Sequence, residues 1–276
     1  MINIDMNNED KNININQLRS NQLNQINKQF KQDIYYKAIK GSRRASTVKK
    51  STGIEILDKN LGGGIPSGSI VYFTSDPKSM SEVFLFHFTT PRPTYYFATD
   101  RRPKYIEEDI RRLDFDTSNI HFIDIYKMYY EDAASLGLER ENIDNYILEF
   151  LENELQSLYL NGERDFTCII DSFSFFLELN INFNRIKSTI NLIYDIIKNT
   201  ESICYLYILK GVHDQKIENF LLNISDAVFD IEIEKKGEKI ASKLLIPKIR
   251  GTIPSTDFIK FKIAEGVIID TSRDIA

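Results

Sequence analysis

An α/β fold, a mostly parallel sheet flanked by helices and extended by C-terminal antiparallel strands, is what this sequence predicts. Two observations carry the prediction. Through residues 69–209, short runs rich in β-branched and aromatic residues alternate with helix-spaced apolar patterns, as buried parallel strands joined by helical crossovers do. Beyond residue 226 the helical patterns stop, and strand-like runs follow one another across short turns.

The expected parallel strands are Ser69–Thr74, Thr94–Thr99, Ile120–Ile125, Phe166–Asp171 and Ile203–Leu209. Helical patterns fill the gaps at Ser81–Thr89, Lys104–Leu113, Asn142–Leu160 and Asn184–Asn199. The C-terminal strands are Ala227–Glu234, Ser242–Lys248, Asp257–Ile263 and Val267–Asp270, with a hairpin turn at Ala264-Glu265-Gly266.

The first 50 residues have another character. Residues 1–12 are rich in Asn and Asp without a period and read as a disordered tail. Between 14 and 39, Leu18, Leu23, Ile26, Phe30 and Ile34 recur near helical spacing, an amphipathic pattern weakened by many Asn residues. Residues 40–50 are polar and basic and read as a linker, with a partner or nucleic-acid contact as the alternative. The folded domain is then expected over 51–276.

Charge follows the same division. Residues 1–50 hold ten Lys/Arg and four Asp/Glu, whereas the remaining residues hold 25 and 36. An acidic body argues against nucleic-acid binding by the domain, leaving only the basic N-terminal arm suited to it. No apolar run reaches the length of a membrane span, and the acidic start of the chain does not fit a signal peptide. Cys168 and Cys204 sit in apolar strand-like runs with no CxxC or Cys/His cluster, so neither a disulfide framework nor a metal site is expected. A cytoplasmic, reduced protein is the simple reading.

The most informative stretch is Ser51-Thr52-Gly53 through Leu57-Asp58, followed by Leu61-Gly62-Gly63-Gly64-Ile65-Pro66-Ser67-Gly68 and a strand. It closely resembles the archaeal and bacterial RecA/KaiC-like ATPases, in which a threonine-glycine stretch ends in leucine-aspartate before a glycine-rich turn and the first core strand. In active relatives that strand leads into a phosphate loop, G-x-x-x-x-G-K-[ST]. Its glycines let backbone N–H groups approach phosphate, its lysine neutralises charge and its hydroxyl binds Mg²⁺. Here the loop reads Ser75-Asp76-Pro77-Lys78-Ser79-Met80-Ser81-Glu82. Ser75 and Met80 stand at the glycines, Ser81 at the lysine and Glu82 at the metal-binding hydroxyl. Met80 is expected to put bulk where phosphate would sit. Glu82, at the positive end of the following helix, is expected to act as an internal substitute for the phosphate. Lys78 is the one residue placed to rescue phosphate binding from another direction.

The resemblance bears on three further segments. The family's glutamate pair before a proline, which activates the attacking water, is matched by Asp100 and Arg101, and an arginine cannot serve as the base. Phe166 to Ser172 resembles a Walker B strand, whose aspartate, here Asp171 beside Ser172, holds Mg²⁺ in the family. A carboxylate that merely caps a loop gives the same pattern. Lys248-Ile249-Arg250-Gly251-Thr252 resembles a segment that reaches a neighbouring subunit's γ-phosphate, the alternative being a strand end with two solvated cations. Lys210 and His213 follow the fifth strand, where the family has sensor residues, solvated loop positions being the commoner reading.

The resemblance covers nearly the whole chain after residue 50 and implies a RecA-like P-loop NTPase fold with a degenerate Walker A loop. It implies an inactivated, oligomeric member: a non-catalytic regulatory or adaptor protein in signal transduction of the archaeal type, with no cofactor expected. The partner would be an active KaiC-like homologue or a second copy, reached through Lys248 and Arg250 as a finger in trans. The alternative is a slow signalling ATPase that holds ATP and Mg²⁺ through a rebuilt loop.

Overall fold

The computed structural model describes residues 48–133, 139–236, 239–251, 258–263 and 266–269. The expected tail, the amphipathic segment, residues 40–47 of the linker, Thr252, the first residue of the expected strand Asp257–Ile263, Ala264 and Glu265 of the expected hairpin turn, and Asp270 lie outside them. Lys49 and Lys50, placed with the linker on sequence, form strand β1 (Lys49–Lys50), paired antiparallel with β2 (Ile65–Pro66).

Among the described residues nine strands build one sheet. From one edge to the other they are β11 (Val267–Ile269), β10 (Ile259–Ile263), β9 (Lys239–Ile249), β8 (Ala227–Lys236), β3 (Ser69–Ser75), β7 (Ile203–Leu209), β6 (Thr167–Asp171), β4 (Thr94–Ala98) and β5 (Ile120–Asp124). From β8 to β5 every pairing is parallel, and from β8 to β11 every pairing is antiparallel. The expected architecture is therefore the observed one.

Alternation along the strands divides the core in two. Ile70, Tyr72, Cys168, Ile170, Cys204 and Leu206 face α5 (Arg140–Leu160) and α7 (Phe183–Thr200). Val71, Phe73, Tyr96, Ile169 and Tyr205 face α1 (Glu55–Asn60), α2 (Glu82–Phe88) and α3 (Pro103–Arg112). The result is a three-layer sandwich. Helix α2 is apolar nearly all round, with Val83, Phe84, Leu85, Phe86 and Phe88 buried, because the C-terminal strands cover its outer side. Phe84 meets Phe261 of β10 edge to face at 4.8 Å, and His87 Nε2 accepts the Val267 N–H of β11 at 2.9 Å.

Short elements escaped the sequence reading. These are α1, α4 (Ile125–Lys127) with its π-helical continuation Met128–Asp132, α6 (Ser174–Leu177) and α8 (Gln215–Ile224). The signal for α8 was present: Asp214 caps it by accepting the Lys216 N–H, ahead of Ile217, Leu221 and Ile224 at helical spacing.

The threonine-glycine and leucine-aspartate stretch now has a physical account. Asp58 Oδ1 accepts both the N–H and the hydroxyl of Thr52 at 2.8 Å, and Asp58 Oδ2 accepts the Ser51 hydroxyl at 2.5 Å. Gly53 has φ +86°, and a Cβ there would lie 2.2 Å from the His87 carbonyl oxygen. Any side chain would push the segment off the end of α2. Gly64 is pinned in the same way, its absent Cβ 2.1 Å from the Lys50 carbonyl oxygen.

Candidate functional site

In an open parallel sheet the loops at the carboxyl ends of the strands form the natural crevice for a ligand. Here those loops carry Ser75–Glu82 after β3, Asp100 and Arg101 after β4, Ser172 after β6, and Lys210 and His213 after β7. The fold brings all but Lys248 and Arg250 of the sequence-selected residues to this end.

The loop after β3 is closed on itself. The Asp76 carboxylate accepts the Lys78 N–H at 2.8 Å, and the Asp76 carbonyl accepts the Ser79 N–H at 2.8 Å and the Ser79 hydroxyl at 2.7 Å. Pro77 has no N–H to offer. At the start of α2 the Val83 and Phe84 N–H groups bond the Met80 and Ser81 carbonyls at 3.3 and 3.0 Å. No residue from Ser75 to Glu82 adopts a positive φ, so the alternating conformation that gathers amides into an anion-binding nest is missing. This loop does not fit a phosphate group.

Glu82 stands in the first turn of α2, as expected, but makes no capping bond; the carboxylate that bonds a loop amide is Asp76, which accepts the Lys78 N–H. Glu82 instead adds its charge to the field around Asp171, Tyr96 and Tyr207. Met80 does not fill the loop either: it points outward and is 54% exposed.

Ser81, at the lysine position, is fully buried. Its hydroxyl lies 2.6 Å from Ser75 Oγ and 3.1 Å from Tyr207 Oη, and Ser75 Oγ lies 2.9 Å from Tyr207 Oη. Three hydroxyls thus satisfy one another where a lysine stem would run. Each can donate once and accept twice, so the triangle closes with no charge.

Beside it, the half-buried Asp171 accepts the Tyr96 hydroxyl at 2.6 Å. Burial pushes its carboxyl up to about 6; the Tyr96 bond and Arg101 pull it down, while Asp100 and Glu82 push it further up. Ser172 donates its hydroxyl to Asp100 Oδ2 at 2.7 Å, so the two carboxylates carry separate partners. Burial opposes the charge of Arg101, but Asp171, Tyr96 and Asp109 more than offset it, and Arg101 is bonded to Asp109 at 2.9 Å. A guanidinium therefore supplies positive charge where the family resemblance places a base. Among the described residues no group of three or more Asp, Glu, His or Cys side chains converges as metal ligands do.

Residues 49–276 match a family described as "Family of unknown function (DUF7125)". The chain belongs to DUF7125. Among solved structures it is similar to the KaiC-like protein PH0186 from the hyperthermophilic archaeon Pyrococcus horikoshii OT3. That match has a TM-score of 0.63 at 19% identity and covers 82% of this chain and 100% of the other. No curated protein matches. At such low identity the likeness establishes a KaiC-like RecA fold for this DUF7125 member and leaves its chemistry to its own residues.

In this DUF7125 chain Lys248 and Arg250 lie at the other end of the sheet. Lys248 pairs with Val228 near the start of β8, and the Arg250 N–H donates to the Asp226 carbonyl at 2.7 Å. Both side chains turn onto the C-terminus of α8: Lys248 Nζ donates to the Leu222 and Asn223 carbonyls, and the Arg250 guanidinium to Asn223. Cations there complement the negative end of a helix. Burial, then Arg250, lowers the Lys248 pKa. The sequence offered these two as a finger in trans or as solvated cations at a strand end; in the single chain both bond the last carbonyls of α8.

Lys210 and His213 are also tied down. Lys210 Nζ bonds both Asp230 oxygens at 2.7 and 2.9 Å and Glu232 at 3.2 Å. His213 Nε2 lies 2.7 Å from Ser174 Oγ, which also accepts the Leu209 N–H at 2.9 Å. Sequence reasoning missed Ser174, Tyr96 and Tyr207, because nothing local marks a polar atom whose partner lies far along the chain.

Proposed function

We propose that this chain is a non-catalytic member of the KaiC-like RecA fold, a regulatory or adaptor protein of signal transduction that neither holds nor hydrolyses ATP. The observation that carries the reading is the self-bonded loop: the amides of residues 78, 79, 83 and 84 already have partners within the chain. The hydroxyl triangle supports it. Fitting a lysine at 81 requires losing the two hydrogen bonds Ser81 makes and desolvating an ammonium. Arg101 supports it again, because a guanidinium does not take a proton from water. The assignment to signalling follows the family resemblance, with an active KaiC-like homologue or a second copy as partner. For Lys248 and Arg250 to serve such a partner's phosphate, they must first leave the carbonyls of Leu222 and Asn223.

The test is phosphate release from Mg²⁺-ATP by the purified chain and by Asp171→Asn. We expect both to stay at the level of a heat-denatured control. Release by the wild type that Asp171→Asn abolishes establishes the slow-ATPase reading instead.

A further inference from the structure

Among the described residues the sheet has two edge strands, and they are guarded unequally. β11 is three residues long, and so short an edge offers little for another strand to pair with. β5 is five residues long, Ile120-His121-Phe122-Ile123-Asp124, with neither lysine nor proline and no bulge in its pairing with β4. Its side chains are half-buried or exposed, whereas those of β3 at the centre of the sheet are all buried. The Thr94 N–H donates to the Asn119 carbonyl at 2.9 Å, so His121 and Ile123 turn their backbone groups to β4 and Phe122 turns its own outward.

The helix beside β5 presents an apolar flank on the same side. Glu152 bonds Arg185 and Thr189, which marks the flank of α5 that faces α7. On the opposite flank Ile143, Phe150 and Leu158 pack on the core yet stay half-buried. Glu154 stands between Phe150 and Leu158, and burial raises its pKa. β5 runs about 17 Å and α5 about 31 Å, and the three layers are about 30 Å deep. A mean height of about 24 Å gives this edge roughly 700 Å² per chain, close to the ~800 Å² per partner that a standard interface buries.

The geometry points to this edge as the place where a second copy of the chain adds its own β5, antiparallel, about a two-fold axis through Phe122. The inference goes beyond the reading above and holds whether or not the chain binds nucleotide. β5 is complementary to itself. With Phe122 on the axis, the two copies of that residue exchange both N–H···O bonds, His121 comes opposite the partner's Ile123, and Ile120 opposite the partner's Asp124. No like charges face each other across these pairs, and every residue keeps its own face of the sheet. The same rotation sets the two α5 helices antiparallel, with the flanks that carry Phe150 and Leu158 turned towards each other. Pairing of identical edges closes at two copies and continues the sheet from one chain into the next.

The experiment is light scattering of the full chain after gel filtration, at concentrations up to about 0.1 mM. Expected is a mass twice the 32.1 kDa of one chain. Phe150→Asp should weaken the dimer at least about tenfold while the chain stays folded, because it charges the apolar flank. Phe122→Cys should join two chains through one disulfide on mild oxidation, since Cα atoms of a hydrogen-bonded antiparallel pair lie ~5.5 Å apart, within disulfide reach. Ile268→Cys at the β11 edge, where the native side chain is 57% exposed, should not, and the buried Cys168 and Cys204 take no part. A mass of one chain throughout, or of more than two, overturns the proposal. A dimer that Phe150→Asp leaves intact, or that cross-links through Ile268→Cys and not through Phe122→Cys, places the contact elsewhere and overturns it equally. If Phe122→Cys does not fold, the wild-type mass and the Phe150→Asp variant decide.

Discussion

Ser81 stands where the family resemblance places a lysine. A lysine here in the family resemblance carries charge to phosphate; a serine here completes a buried polar triangle with Ser75 and Tyr207. Ser81→Ala should cost about 1 kcal/mol, because the Ser75–Tyr207 bond persists. Ser81→Lys should cost about 3 kcal/mol or more by burying an ammonium without a carboxylate in contact. Urea midpoints check both, and a lysine variant as stable as wild type shows that the position is still open to the crevice. His87 is the second residue with a measurable signature. Burial pushes its imidazole down to about 4, against the bond it donates to the Gly53 backbone, which favours the charged form. The folded state therefore refuses a proton that the unfolded chain takes near 6.5. Stability is intact above that value, falls as pH drops towards 4, and is level below it, an effect of up to about 3 kcal/mol. Asp171 acts oppositely: raised to about 6, its ionised form costs stability at neutral pH, and that cost is relieved as pH falls from there towards its ordinary value. Comparing wild type with His87→Leu at pH 7 and pH 4.5 isolates the histidine, and the variant should lose less stability between the two. Equal losses contradict the account.

At the scale of elements, long regular segments were legible and long-range polar closures were not. The five parallel strands were expected within a residue or so of their ends, because alternating β-branched runs and helical spacing are local signals. That the loop lacks glycine and carries serine at 81 was equally legible, since it is a matter of residue identity. The bonds the loop makes were not. Asp76 rather than Glu82 satisfies the loop because an aspartate two residues before an N–H closes a short turn, a geometry that helix-dipole reasoning passes over. Tyr207 joins Ser81 across 126 residues, and His87 joins Val267 across 180, with no periodicity to announce either. Helix α8 supplies this scale's prediction. Lys248 is bonded to its last carbonyls, so Lys248→Ala should destabilise the chain by about 1 kcal/mol through loss of charge–dipole and hydrogen-bond terms. Lys248→Arg should restore most of it. Hydrogen exchange at Leu221–Ile224 should quicken in the alanine variant and not in the arginine one; unchanged exchange means the bonds are dispensable.

For the whole molecule, the sheet order, the three layers and the C-terminal strands wrapped over α2 make a KaiC-like RecA fold. No helix among the described residues is long and apolar enough to cross a membrane. Fold and chemistry separate along one line. Gly53, Gly64 and Asp58 shape the backbone for reasons visible in their contacts, while in the loop after β3 Ser75, Asp76, Ser79 and Ser81 bond within the chain. Asp171 stands between these groups, charged at a cost beside Asp100 and Glu82, and offset by Tyr96 and Arg101. The central claim is that this chain has exchanged nucleotide binding for internal closure, and titration calorimetry with Mg²⁺-ATP tests it most directly. The account predicts no saturable heat up to millimolar ATP, in the wild type and in Asp171→Asn alike; a saturating isotherm in the micromolar range would contradict it.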